Sequence, residues 1–138
     1  MTMTGQCLCG AIKFTAEGVP HDVAACHCDM CRRWAGGPFF AVEAEAVRFY
    51  GKEDLGRYRS SDWAERGFCK ACGSNLFCRV IDTDQYLMAP GAFDDQSGFR
   101  MAMHVFIDEK PAYYTFADET KMMTGAEVFA MYAPKEGG

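Results

Sequence analysis

Apolar and polar residues alternate along most of this chain, which is the period of a strand with one buried face. Between Gly10 and Glu17 the period puts Ile12, Phe14 and Ala16 on one side. Between Met101 and Ile107 it groups Met101, Met103, Val105 and Ile107, and sets His104 opposite them with Ala102 and Phe106. Further short β-type runs are predicted at Pro38–Val42, Ala46–Tyr50, Leu55–Ser60, Leu76–Ile81, Gln85–Ala89 and Pro111–Phe116. Gly51 acts as a stop, and a turn-rich stretch runs from Pro90 to Gly98. Helix is scarce. Asp29 as N-cap and Gly36-Gly37 as terminator predict one or two turns over Asp29–Ala35. A second short helix is predicted over Ala126–Tyr132, followed by a frayed tail at Lys135–Gly138. The expected class is mainly β, built of short meandering strands. No linker, repeat or charge run divides the chain, so a single domain over residues 1–138 is expected.

Composition narrows the function. Of 138 residues, 49% are hydrophobic and 24% charged, the balance of a globular chain. The net charge of −5 disfavours nucleic acid or an anionic membrane as a partner. No apolar stretch approaches the ~20 residues that span a bilayer. Met1–Gln6 lacks the basic and apolar regions of a signal peptide, so a cytoplasmic location with reduced thiols is expected.

That setting changes the meaning of the eight cysteines, which in a reducing compartment favour metal over disulfides. Cys7-Leu-Cys9-Gly10 and Cys69-Lys-Ala-Cys72-Gly73 share one form, a close cysteine pair followed by glycine. Glycine there permits positive φ and lets backbone N–H groups face the thiolates. Two such knuckles complete a four-thiolate tetrahedron, a closed structural zinc site. Buried or redox-active cysteines are the competing reading.

Cys26-His27-Cys28-Asp29-Met30-Cys31 places three more cysteines in one short segment. In extended backbone Cys26 and Cys28 share a face and His27 points away, while the turn at Asp29-Met30 returns Cys31 to them. Three protein ligands and one open position are the pattern of catalytic zinc. Arg32 and Arg33 follow, able to offset thiolate charge or to bind a carboxylate, with a solvated basic turn as the alternative. Three residues compete for the fourth position. Cys78 lies in the apolar run Leu76–Val80 and reads as a buried thiol, His27 as an outer neighbour or surface residue, and His104 as a satisfied histidine or a site-lining one. A thioredoxin-like Cys28-x-x-Cys31 redox pair is the remaining reading, without the βαβ context it needs.

The order of motifs resembles the glutathione-dependent formaldehyde-activating enzyme family, which includes centromere protein V. The resemblance rests on Gly5-x-Cys7-x-Cys9-Gly10, Cys26-His-Cys28-x-x-Cys31-Arg-Arg33, Tyr58-x-Ser60-Ser61 and Arg66-x-Phe68-Cys69-x-x-Cys72-Gly73-Ser74-x-Leu76-Phe77. Gly91-Ala-Phe93-Asp94-Asp95 and the segment from His104 to Tyr113 extend it, so it covers residues 5–120. Phe93 and Tyr113 stand where the family often has leucine and tryptophan. The resemblance implies a β-tent fold with two zinc ions per chain: a structural one on Cys7, Cys9, Cys69 and Cys72, and a catalytic one on Cys26, Cys28 and Cys31. It also implies a carbon–sulfur lyase, forming S-hydroxymethylglutathione from glutathione and formaldehyde.

The leading expectation is a zinc enzyme acting on a thiol–aldehyde adduct, with a small thiol such as glutathione as partner. Zinc lowers the pKa of a bound thiol, giving a thiolate near neutral pH. His104, Asp94 and Asp95 are the candidates for acid–base work, each with a structural role as its competitor. Trp34, Phe39 and Phe40 follow the zinc turn and are candidates to wall a pocket, with core packing as the alternative. The rival functions are a non-catalytic zinc module that binds a protein or small thiol, and a closed two-zinc structural domain.

Overall fold

A computed structural model describes residues 2–132, Tyr132 by its backbone alone. The tail expected at Lys135–Gly138 lies outside the described residues. The alternating pattern becomes strands β1 (Thr2–Gln6), β2 (Lys13–Glu17), β3 (Asp22–Cys26), β4 (Phe39–Ala44), β5 (Ala46–Tyr50) and β6 (Leu55–Arg59). They are followed by β7 (Ala64–Cys69), β8 (Asn75–Val80), β9 (Gln85–Met88), β10 (Arg100–Val105) and β11 (Lys121–Met123). Helices α1 (Asp29–Ala35) and α2 (Gly125–Tyr132) are both short, and the fold is mainly β as expected. No described helix is long and apolar enough to cross a membrane.

Contacts group the chain into two compact units. One comprises the residues up to Val23 together with Phe40–Arg100, the other Ala24–Phe39 together with the residues from Met101 onward. In the first unit β1, β2 and β5 form an antiparallel sheet in the order β1-β2-β5. Strands β6 to β9 form an antiparallel meander, and β9 also pairs with β4. The face predicted from Gly10–Glu17 is the buried one: Ile12, Phe14 and Ala16 are at most 1% exposed. Phe14 meets Phe93 edge-on at 5.1 Å, and Phe49 joins Phe77 at 5.2 Å. Each buried ring of this kind contributes about 1.5–3 kcal/mol.

In the second unit β10 pairs with β11 in parallel. On β10 the face carrying His104 is the buried one, whereas Met101, Met103 and Val105 are only half-buried. Ile107 lies beyond the strand in a 3₁₀ turn. Helix α1 has the expected span and ends at Gly36, but its N-cap is Cys28, not Asp29. The Cys28 sulfur accepts from the Cys31 N–H at 3.3 Å, the bond a capping oxygen would otherwise take.

Pro111–Phe116 is not a strand. The alternation is genuine, since Tyr114 and Phe116 are more buried than Tyr113 and Thr115. Its backbone carbonyls go elsewhere: the Lys110 ammonium donates to the Pro111 and Tyr114 oxygens and sits over the Tyr114 ring. Strands β1, β3, β7 and β11 were not expected from the pattern.

Candidate metal centres

The first cluster is built by two turns of the first unit, one between β1 and β2, the other between β7 and β8. Gly10 and Gly73 both have φ of 82°, the left-handed conformation each knuckle requires. The amides after the turns then face the sulfurs. Ile12 N–H donates to Cys7 Sγ at 3.3 Å, Ala11 N–H to Cys9 Sγ at 3.5 Å, and Cys72 N–H to Cys69 Sγ at 3.4 Å. Ser74 joins the two turns, its hydroxyl accepting from Leu8 N–H at 3.0 Å and lying 3.1 Å from Cys72 Sγ.

The donor geometry fits a tetrahedral metal. Thiolates about 2.3 Å from a zinc ion lie about 3.8 Å apart along the tetrahedron's edges. Cys7 and Cys9 sulfurs are 3.7 Å apart, Cys9 and Cys69 sulfurs 3.9 Å, and all four fall within 4.8 Å of one another. The electrostatics fit too. The Ser74 hydroxyl and backbone bring Cys72 down to about 5. Cys9 has the Ala11 amide to favour its thiolate, yet desolvation and the Cys7, Cys72 and Cys69 sulfurs push it up to about 11. Four crowded thiols resist ionising together unless a cation shares the site.

The second cluster lies in the second unit. Cys26 ends β3, Cys28 caps α1 and Cys31 is one turn into it, and their three sulfurs fall within 4.8 Å of one another. The Cys28 and Cys31 sulfurs, followed by burial, push the Cys26 thiol far above its ordinary value. Cys78 belongs to neither cluster and is buried on β8, 6% exposed. No disulfide joins the eight cysteines.

The other candidates fall in different settings. Asp94 accepts from the Thr4 hydroxyl at 2.6 Å, and Asp95 accepts from the Ser97 amide and hydroxyl at 3.0 and 2.7 Å, both in exposed loops of the first unit. Arg33 is solvated and pairs with Asp29 at 3.2 Å, whereas Arg32 donates to the His27 carbonyl at 2.9 Å. Trp34 and Phe39 rings meet at 5.2 Å. Phe40 is 39% exposed. A groove of about 540 Å³ in the first unit is lined by Glu43, Glu45 and Asp84 among others and contains none of the clustered cysteines.

His27 is no surface residue. It is fully buried, and so is His104. His27 Nε2 lies 2.9 Å from His104 Nδ1, and His104 Nε2 lies 3.0 Å from Asp118 Oδ2. At the other end His27 Nδ1 is 2.9 Å from the Tyr114 hydroxyl. Phe116 meets both imidazoles edge-on, at 5.7 and 4.9 Å. Burial first, then His104, Lys110 and Arg32, hold His27 down at about 4, so its ring is neutral. The Thr120 hydroxyl and His104 hold Asp118 below its ordinary value, so it is a carboxylate. Sequence reasoning weighed both histidines but missed Tyr114 and Asp118. The only signal was the polar–aromatic alternation after Pro111.

Comparison with known proteins shows the family of the chain. The glutathione-dependent formaldehyde-activating enzyme family model matches residues 2–109. An uncharacterized lyase of Schizosaccharomyces pombe is 36% identical over 126 residues, covering 90% of this chain and 92% of that protein. A Halomonas elongata protein that carries the provisional name of a glutathione-dependent formaldehyde-activating enzyme is 31% identical over 87 residues, 56% of this chain and 55% of its own. The crystal structure of a Rhodobacter sphaeroides protein superposes with a TM-score of 0.57 at 25% identity, covering 67% of this chain and 88% of that one. With a match across most of its length and a lyase among its relatives, the chain is an enzyme of lyase type and belongs to the glutathione-dependent formaldehyde-activating enzyme family.

Proposed function

We propose that the chain is a zinc-dependent carbon–sulfur lyase that forms or cleaves a thiol–aldehyde adduct, with glutathione and formaldehyde as the pair to test first. The observation that carries this is the division of seven cysteines into a cluster of four and a cluster of three. Cys7, Cys9, Cys69 and Cys72 fill a tetrahedron and serve structure. Cys26, Cys28 and Cys31 leave one position for a substrate thiol. Zinc bound there supplies Lewis acidity, which keeps a substrate sulfur as thiolate near neutral pH.

The chain's own residues do the rest. Cys28 ties the site to the start of α1, so its sulfur is fixed by the helix it caps. Arg32 is held against the His27 carbonyl beside the cluster, where its positive charge opposes that of the three thiolates. Asp94 and Asp95 are committed to loop hydrogen bonds, and His104 to its two buried partners.

The test is spectroscopic. Cobalt-substituted protein titrated with glutathione should gain intensity in its thiolate-to-cobalt bands as a further sulfur enters at the three-cysteine site. A spectrum that glutathione leaves unchanged, in protein holding two cobalt ions, would remove the open position and this function with it.

A further inference from the structure

The residue between two of the three clustered cysteines, His27, is tied down through its backbone and its ring. Every hydrogen-bonding group of His27 is engaged. Its N–H donates to Val105 O at 3.1 Å, its carbonyl accepts from Arg32 Nε at 2.9 Å, and its two ring nitrogens meet Tyr114 and His104. His104 in turn rests on Asp118. Rotating the His27 ring therefore breaks two buried hydrogen bonds at once, those to Tyr114 and His104.

We propose that His104 and Asp118 are positioning residues of the three-cysteine cluster, acting through His27 to hold the Cys26–His27–Cys28 segment with its sulfurs converged on one metal ion. The inference rests on the reading of Cys26, Cys28 and Cys31 as a metal site. It goes beyond that reading by assigning the site a support that reaches it through a buried polar chain.

The chain has a direction. An ionised carboxylate only accepts, so Asp118 takes the Nε2–H of His104. With one proton on each ring, His104 Nδ1 accepts from His27 Nε2–H, and His27 Nδ1 accepts from the Tyr114 hydroxyl. One carboxylate thus sets the ring orientation and tautomer of two histidines and the rotor of a tyrosine. Apolar side chains of similar volume would fill the space without three buried polar groups to satisfy, but they would not fix a ring's orientation. Ring orientation matters here because side chains alternate along extended backbone. Fixing His27 on one face fixes where Cys26 and Cys28 point on the other. Phe116 walls both rings, which strengthens the bonds by excluding water.

The experiment compares wild type with Asp118→Asn and Asp118→Glu. Metal affinity at each cluster is measured by competition with a chromophoric chelator, and ring tautomers by long-range proton–nitrogen NMR. In wild type both histidines should carry the proton on Nε2. Asp118→Asn keeps the shape but replaces an obligate acceptor with an amide that can donate. It should weaken the more weakly held metal by about 10-fold or more, shift the His27 ring nitrogens, and leave the four-cysteine metal and the melting temperature nearly unchanged. Asp118→Glu, which retains an ionised acceptor, should recover most of the affinity. Unchanged second-metal affinity in Asp118→Asn, or His27 ring signals that do not respond, would overturn the proposal. A wild type that binds one metal would instead defeat the proposed function. The tautomers then decide for the chain alone: Nε2 protons on both rings uphold it, and any other arrangement overturns it.

Discussion

Cys78 and Cys69 show how similar thiols take opposite roles through their neighbours. Cys69 has three other sulfurs within 4.8 Å, while Cys78 lies on β8 in register with Arg66 and Leu87 and belongs to neither cluster. A buried thiol outside a cluster packs as a small hydrophobe. Replacing it with serine should leave two zinc ions per chain and most activity. Metal analysis of purified Cys78→Ser checks this, and loss of one zinc would make Cys78 the fourth ligand of the second cluster. The clustered cysteines were legible in the sequence because a tight turn brings residues two or three apart to one point whatever the rest of the fold does. The partners of His27 and His104 were not, because Tyr114 and Asp118 reach them from a segment with no repeating structure. Nothing local to either histidine signals that meeting.

Among the elements, α1 takes its N-cap from a cysteine of the three-sulfur cluster. Its third amide, that of Cys31, is satisfied by Cys28 Sγ, a role serine performs at least as well. Cys28→Ser should therefore keep α1 and lose one metal together with activity, with the melting temperature changed by no more than about 4 °C. Far-ultraviolet circular dichroism and a zinc count check both halves. A collapse of the fold in Cys28→Ser would mean that the second metal is structural. Elements with one clean apolar face were readable, as β2 and β5 were. Strand β7 was not, because Arg66 is buried in its middle, 2% exposed, where the pattern expects a polar residue to face water. Strand β1 is mostly polar and gains its place from pairing with β2 rather than from its own side chains. The run after Pro111 erred in the other direction, having the alternation of a strand while Lys110 takes two of its carbonyls.

For the whole molecule, strand pairing is the information that a single sequence does not hold, since period-2 patterns say which face is buried and not which strand lies alongside. The metal knuckles supplied one long-range constraint of that kind. Matching Cys-x-Cys-Gly to Cys-x-x-Cys-Gly places the β1–β2 turn against the β7–β8 turn before any pairing is known, and the four sulfurs are found together. Such a contact closes a long stretch of chain, so its energy is spent against loop entropy that the unfolded protein keeps. The second cluster closes only the few residues from Cys26 to Cys31 and offsets little of that entropy. Removing one ligand from each should therefore give unequal results. Cys69→Ser should lower the melting temperature by about 10 °C or more, corresponding to a loss of a few kcal/mol for a domain of this size. Cys28→Ser should lose its metal with far less effect. Chelator added to wild type should reproduce the order, first removing the metal whose loss abolishes activity and only at higher strength the metal whose loss unfolds the chain. Thermal melts of both variants beside a chelator titration followed by activity and by circular dichroism measure it. Equal destabilisation by the two substitutions, or unfolding that accompanies the first metal released, would contradict the division into a structural and a substrate-binding zinc.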